Sequence, residues 1–216
     1  MEAIKCSIDN ITIGIPSKGR LKPVVIEFLA KCELTLQLKM QRQLQATILE
    51  NPNYRVVLAH PKDIPGLLER EILDVGFTGL DILQEQQTKL RSVVKTNDGK
   101  AKICLMVPKN TEYSHPCHLM DKTIATSYPN ITQEYFDKLK IKINIHLIHG
   151  ASEGVPYLGF VDAIVDVVST GTTAAANNLK IIADDIFESE CVAVVAKPEL
   201  QCNYQAVNDF LRRIYQ

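Results

Sequence analysis

The chain has 216 residues, enough for one large domain or two small ones. A hydrophobic fraction of 46% and a charged fraction of 23% are those of a water-soluble globular fold, and a formal net charge of -1 provides no basic field for nucleic acid. Six scattered cysteines, Cys6, Cys32, Cys104, Cys117, Cys191 and Cys202, form no C-x-x-C pair, a usage that points to free thiols in a reducing compartment and away from a zinc or redox centre.

The first 30 residues lack a basic start followed by a continuous apolar run, and no later stretch is long and apolar enough to span a bilayer. The expected location is the cytoplasm, with no membrane partner.

Ile11–Pro16 reads as a strand ending at a proline, followed by the turn Ser17-Lys18-Gly19-Arg20 and a helix over Leu21–Ala30 with Pro23 in its first turn. Two readings of Lys18 and Arg20 stay open, cations presented to an anionic ligand or ordinary charges of a solvated turn. Leu36–Leu49 has strand character, Asn51-Pro52-Asn53 a turn, and Arg55–Ala59 a clear strand. Asp63 is the expected N-cap of a helix over Gly66–Glu71. Leu73–Gly79 is the next strand, and Asp81 begins a short helix. Strand, loop and helix in repeated order predict a parallel α/β sheet whose ligands bind beyond the carboxyl ends of the strands, where Lys18, Arg20, Gly79 and Asp81 lie.

Asn97-Asp98-Gly99 is a turn, with strands predicted over Lys102–Val107, Thr123–Thr126 and Ile141–Ile148. A helix capped by Asn130 or Thr132 runs to about Leu139, and Gly150-Ala151-Ser152-Glu153 turns into a helix to about Leu158. The most informative stretch follows. Val161–Val168 is an apolar strand carrying Asp162 and Asp166, and Ser169-Thr170-Gly171-Thr172-Thr173 is a hydroxyl-rich turn opening a helix. Free N–H groups and hydroxyls at such a turn suit a phosphate. The even spacing of Asp162 and Asp166 puts them on one side of a regular strand, as acceptors for vicinal hydroxyls. A carboxylate inside an apolar strand costs stability unless it is paired or faces ligand or water, which makes Asp166 the stronger candidate. The combination predicts a pocket for a sugar phosphate. Strands over Lys180–Ile186 and Cys191–Ala196 and a helix over Asn203–Tyr215 complete the chain.

The expected architecture is two α/β lobes with mostly parallel sheets and a cleft between them. Lobe I comprises residues 1–97 plus 184–216, and lobe II residues 98–183.

An ordered series of motifs resembles the ATP phosphoribosyltransferase family, which catalyses the first step of histidine biosynthesis. The series runs Pro16–Leu21, Asp63-Ile64-Pro65, Asp74–Asp81, Tyr128-Pro129-Asn130, Gly150–Pro156, and Asp162–Asp166 leading into Thr170–Thr173 and Ala176-Asn177. The resemblance implies a fold similar to the type II periplasmic binding proteins. It implies a pentosyltransferase that condenses N1 of ATP with phosphoribosyl pyrophosphate (PRPP), with Mg2+ carried on the pyrophosphate.

It further implies that Ser169, Thr170, Gly171, Thr172 and Thr173 hold the 5-phosphate, that Asp162 and Asp166 accept from the ribose hydroxyls, and that Glu153 lies beside them, all in the PRPP-binding lobe II. Lys18, Arg20 and Arg42 are the catalytic cations, with Arg42 near the leaving pyrophosphate. Lys18, Arg20, Gly79 and Asp81 are on the ATP side, in lobe I. The sequence departs from the family at three positions: Ala174 where Leu is usual, Asn178 where Gly is usual, and His60 where Arg is usual. The chain resembles the short form of the family, which implies a homodimer and a hetero-oligomer with a regulatory subunit resembling histidyl-tRNA synthetase. Two alternatives stand beside this, a cytoplasmic two-lobed small-molecule binding protein and a non-catalytic subunit of the same fold.

Overall fold

A computed structural model describes residues 10–37, 44–90, 92–150, 154–196 and 203–215, with the backbone alone at 92, 93, 172 and 173. The chain divides into two compact units, one formed by Met1–Leu83, Gln87–Gly99 and Glu190–Gln216, the other by Gln84–Gln86 and Lys100–Ser189.

The first unit is built on a seven-stranded sheet. Its strands are β1 (Ile11–Pro16), β2 (Leu36–Gln37), β3 (Gln45–Ile48), β4 (Asn51–Ala59), β5 (Val75–Gly79), β6 (Ser92–Lys95) and β12 (Cys191–Val195), in the order β2-β3-β4-β1-β5-β12-β6. Alternation along β1 sends Ile11, Ile13 and Ile15 to one face, where they meet Val25, Phe28 and Leu29 of helix α1 (Leu21–Lys31) and Val207, Phe210 and Ile214 of helix α6 (Tyr204–Ile214). The opposite face is closed by Ile64 and Leu68 of helix α2 (Ile64–Glu69) and Leu83 of helix α3 (Leu80–Glu85), packed on Val192 and Val194.

The second unit is a five-stranded sheet. Its strands are β7 (Ala101–Pro108), β8 (Thr123–Thr126), β9 (Asn144–Leu147), β10 (Ala163–Val168) and β11 (Leu179–Ser189), in the order β11-β7-β10-β8-β9. One face packs Leu105, Ile124 and Val165 against Ile131 and Phe136 of helix α4 (Pro129–Lys138). The other packs Cys104, Met106 and Ile164 beneath Ala174 of helix α5 (Thr172–Ala176) and Val155 of a 3-10 turn at Val155–Leu158.

The α/β class and its two sheets match the sequence reading, but the sheets are mixed. β1 is parallel to β4 and β5, and β8 to β9 and β10. β7 runs antiparallel to β10 and β11, and β12 antiparallel to β5 and β6. Parallel neighbours need a helical crossover, which exists within each unit, whereas β12 enters its sheet after the chain has travelled through the other unit.

Three local expectations change. The turn before β4 is at Leu49–Glu50, and β4 begins at Asn51, because Ile48 pairs with Asn51 across a two-residue loop. Asp63 makes no side-chain cap on α2. Neither Asn130 nor Thr132 caps α4 as an N-cap side chain. Glu85 does so from outside the helix, its carboxylate accepting from Asn130 N and Ile131 N, each at 3.0 Å.

Candidate active site

β10 carries Asp166 and leads into the hydroxyl-rich turn. Its core residues Ala163 and Val165 face the α4 side, and Ile164 faces the α5 side. Asp166 shares parity with Ile164, so it belongs to the α5 face, half-buried and paired in register with Cys104 of β7. Its Oδ1 accepts from Val167 N at 2.7 Å. Burial pushes the Cys104 thiol up to about 11, with the Asp184 carboxylate adding to the effect, so the residue opposite Asp166 is a neutral thiol at physiological pH.

Immediately beyond β10, Ser169 and Thr170 are exposed and Gly171 has φ +73°, a left-handed conformation with nothing within 4 Å of the position a Cβ would take. Glycine is favoured there by the backbone and not by crowding. The Gly171 carbonyl then accepts from Ala175 N at 3.0 Å, closing the first turn of α5. Thr172 and Thr173 are the first two residues of that helix.

Asp162 is not part of this arrangement. It sits at a bend before the first residue of β10, at the other end of the strand from the turn. Its Oδ2 accepts from Thr123 N at 3.0 Å, its Oδ1 lies 3.3 Å from the Tyr113 hydroxyl and 3.6 Å from Lys122 Nζ. The Tyr113 hydrogen bond and the Asp162 charge together raise the Lys122 ammonium pKa. Asp162 precedes the first residue of β10 and is taken up by Thr123, Tyr113 and Lys122, whereas Asp166 lies in the half of the strand next to the turn. Asp162 is a fastener between β8, β10 and the loop holding Tyr113.

In the first unit, the turn after β1 and the first turn of α3 bring Arg20 and Asp81 together. Arg20 Nη2 lies 3.1 Å from Asp81 Oδ1, and its Nη1 donates to the Gly99 carbonyl at 2.5 Å. The Asp81 side chain is 2% exposed and that of Arg20 23%. Gly79 stands beside this pair for a steric reason, since a Cβ there would collide with Asp81 Oδ1. Lys18 is exposed at the tip of the same loop as Arg20. Burial drives the neighbouring Cys191 thiol up to about 12. Arg42 and Glu153 lie outside the described residues.

The departures have structural accounts. Asn178 ends α5 with φ +52°, a position where glycine is favoured and asparagine is the next most tolerant residue. Ala174 is 5% exposed and packs with Cys104, Met106 and Leu179, so the change from leucine trims the packing of α5 and leaves the turn intact. His60 accepts from Lys62 N through Nδ1 at 3.2 Å, a local turn contact.

A residue absent from the sequence reading also touches α5. The Tyr157 hydroxyl is 2.9 Å from the carbonyl oxygens of both Asn177 and Asn178. No spacing rule marks it, because its partners are backbone groups.

Two α/β units, each on a mixed sheet, are a fold shared with small-molecule binding proteins. The alkanesulfonate-binding protein SsuA from Xanthomonas axonopodis pv. citri superposes with a TM-score of 0.59 at 13% identity, covering 95% of this chain and 72% of that one, a likeness of fold alone. A chain of the ATP phosphoribosyl transferase (HisG:HisZ) complex from Thermotoga maritima superposes with a TM-score of 0.77 at 29% identity, covering 94% of this chain and 96% of that chain. Residues 60–216 match the HisG family, described as ATP phosphoribosyltransferase. The ATP phosphoribosyltransferase of Methanopyrus kandleri is 31% identical over 205 residues, 95% of this chain and 70% of that protein. That of Methanosarcina mazei is 33% identical over 189 residues, 88% of this chain and 65% of that protein. The chain belongs to the ATP phosphoribosyltransferase family, the pentosyltransferases of the first step of histidine biosynthesis. It spans about two thirds of the length of these archaeal relatives.

Proposed function

We propose that the chain catalyses the family's reaction, the condensation of ATP with PRPP to 1-(5-phosphoribosyl)-ATP and pyrophosphate. The observation that carries this reading is the turn after β10, with exposed Ser169 and Thr170, left-handed Gly171, and Asp166 three residues upstream on the same strand. Ser169, Thr170, Gly171, Thr172 and Thr173 hold the 5-phosphate. Asp166 accepts from the ribose hydroxyls, and Glu153 is assigned to the same substrate. Asp162, already satisfied by Thr123, Tyr113 and Lys122, supports the sheet beneath them.

Adenine N1 attacks C1 of the ribose as the bond from C1 to the pyrophosphate oxygen breaks, with inversion. N1 is unprotonated at neutral pH, so the task of the protein is to position the reactants and stabilise charge accumulating on the leaving pyrophosphate. Lys18, Arg20 and Arg42 meet phosphate oxygens. Arg20 is held towards this role by Asp81 Oδ1 and the Gly99 carbonyl, which orient its guanidinium. Asp81 and Gly79 act through Arg20, one as its counter-charge and the other by leaving that carboxylate room.

Magnesium enters on the pyrophosphate of PRPP as part of the substrate. Among the described residues no three His, Cys, Asp or Glu side chains are grouped to hold an ion. A hetero-oligomer with a synthetase-like regulatory subunit is supported by the Thermotoga maritima relative, a chain of a HisG:HisZ complex. We further propose that the catalytic chains pair as a homodimer. No helix among the described residues is long and apolar enough to cross a membrane. Cytoplasmic location completes the proposal.

The test is pyrophosphate release with ATP, PRPP, magnesium and the regulatory subunit supplied. Product requiring all the small molecules is the expected result, and its absence with every component present ends this reading. Calorimetry showing tight binding of an amino acid and none of PRPP would favour a binding protein instead.

A further inference from the structure

The α5 helix has five residues, too few to hold itself in place by its own hydrogen bonds. The two residues that follow it, Asn177 and Asn178, carry the chain out towards β11, and their carbonyls take donors from other segments. Lys109 N donates to the Asn178 carbonyl at 2.9 Å. The Tyr157 hydroxyl lies 2.9 Å from the Asn177 and Asn178 carbonyls, one proton shared between two acceptors. The Asn178 backbone is left-handed at this point, which turns the chain from α5 into β11. Tyr157 belongs to the 3-10 turn Val155–Leu158, whose Val155 packs in the same apolar cluster as Ala174 of α5. A single hydroxyl therefore ties two segments that meet on one face of the second sheet, one of which opens with the turn at Ser169–Gly171.

The ring of Tyr157 is half exposed, so core packing does not account for its placement, whereas the hydroxyl has two backbone partners. We propose that Tyr157 is a positioning residue for PRPP. Its hydroxyl fixes the two residues that leave α5, and through that single-turn helix it fixes the turn at the N-terminal end. The inference rests on the assignment of that turn to the 5-phosphate. Tyr157 itself contacts no substrate.

The experiment is Tyr157→Phe in the full chain, which keeps the ring and removes the donor. PRPP binding is read by calorimetry with magnesium present, and the two KM values by steady-state kinetics with the regulatory subunit. The expected result is PRPP binding weakened about five-fold, the factor equivalent to one neutral hydrogen bond, with KM for ATP unchanged. Amide exchange at Asn178 and Leu179 is expected to speed up, while the melting temperature shifts by little.

Equal PRPP affinity for Tyr157→Phe and the parent chain overturns the proposal. So does a parallel loss in the KM for ATP and the KM for PRPP, which would mark a general structural role. A parent chain that fails to bind PRPP at all overturns the assignment of the turn itself and this inference with it, an outcome separable from the first two because it appears before any substitution is made.

Discussion

Arg20 and Asp81 are a locked pair. The guanidinium Nη2 is 3.1 Å from Asp81 Oδ1, the carboxylate is almost wholly buried, and the second arm of the guanidinium is taken by the Gly99 carbonyl. The cation that the sequence presents as a loop-tip charge is thus held by two other segments of its unit, one at Asp81 and one at Gly99.

Arg20→Met should therefore act on stability as well as on turnover. Removing one partner strands the Asp81 charge in a buried site, at a cost of about 3 kcal/mol. Asp81→Ala added to Arg20→Met should recover part of that loss, because the stranded charge is gone. Urea denaturation of both single variants and the double variant measures the coupling. A double variant no more stable than Arg20→Met alone would remove the pair from any structural role. On the kinetic side, Arg20→Met is expected to lower turnover with ATP even where the protein is fully folded.

The two carboxylates of the β10 region should separate cleanly. Asp166→Asn is expected to weaken PRPP use far more than it changes the melting temperature. Asp162→Ala is expected to do the reverse, destabilising by about 1–3 kcal/mol through the orphaned Thr123 N–H and the lost Tyr113 and Lys122 contacts, with little change in PRPP affinity of the folded fraction. If Asp162→Ala leaves stability alone and abolishes PRPP binding, the fastener role assigned to Asp162 is wrong.

The buried thiols give a pH signature. Cys104 rises from an ordinary 9.0 to about 11, and Cys191 from 9.0 to about 12. Below pH 9 both folded and unfolded chains keep these protons and the thiols contribute no slope. Above it the unfolded chain releases them first, so the unfolded state binds fewer protons and stability falls as pH rises towards 11 and 12. At pH 10 the loss is about 1 kcal/mol per thiol. Denaturation midpoints from pH 8 to 10.5 should decline, and Cys104→Ala with Cys191→Ala should flatten the decline. In the native protein at pH 8, alkylation should reach exposed Cys117 and spare Cys104 and Cys191. Early labelling of Cys191 would contradict its burial.

Much of this was legible in the residues. Ile11–Pro16 and Cys191–Ala196 declare themselves through β-branched runs, and Gly171 among four hydroxyl residues marks a turn that only backbone freedom explains. What stayed hidden depends on contacts distant in sequence. The return to the first unit is expected at residue 184, within the strand read over Lys180–Ile186, and the two compact units divide at Ser189 and Glu190. β11 continues to Ser189, with irregular pairing between Ala183 and Phe187 accommodating Asp184 and Asp185, and Lys102 lies 2.9 Å from Asp184. Asp162 looked like a ligand residue because parity assumes a strand that has already begun. β6 went unread because the four residues Ser92–Lys95 gain strand character only by pairing with β12, almost a hundred positions later. Glu85 accepts from backbone N–H groups and Tyr157 donates to backbone carbonyls further along the chain, and no local pattern encodes a backbone partner.

Gly79 and Gly171 look alike in the sequence, each a glycine after a threonine near the end of a strand, yet they would behave differently in a randomised library. At 171 the surrounding space is empty, so survivors should include asparagine and aspartate, residues that enter the left-handed region at modest strain. At 79 the space where a methyl would go is already filled by the Asp81 carboxylate. Tolerance at 79 is thus set by the identity of residue 81. Variants at 79 should be recovered only when 81 has changed as well, and the two positions would be read by selection as one.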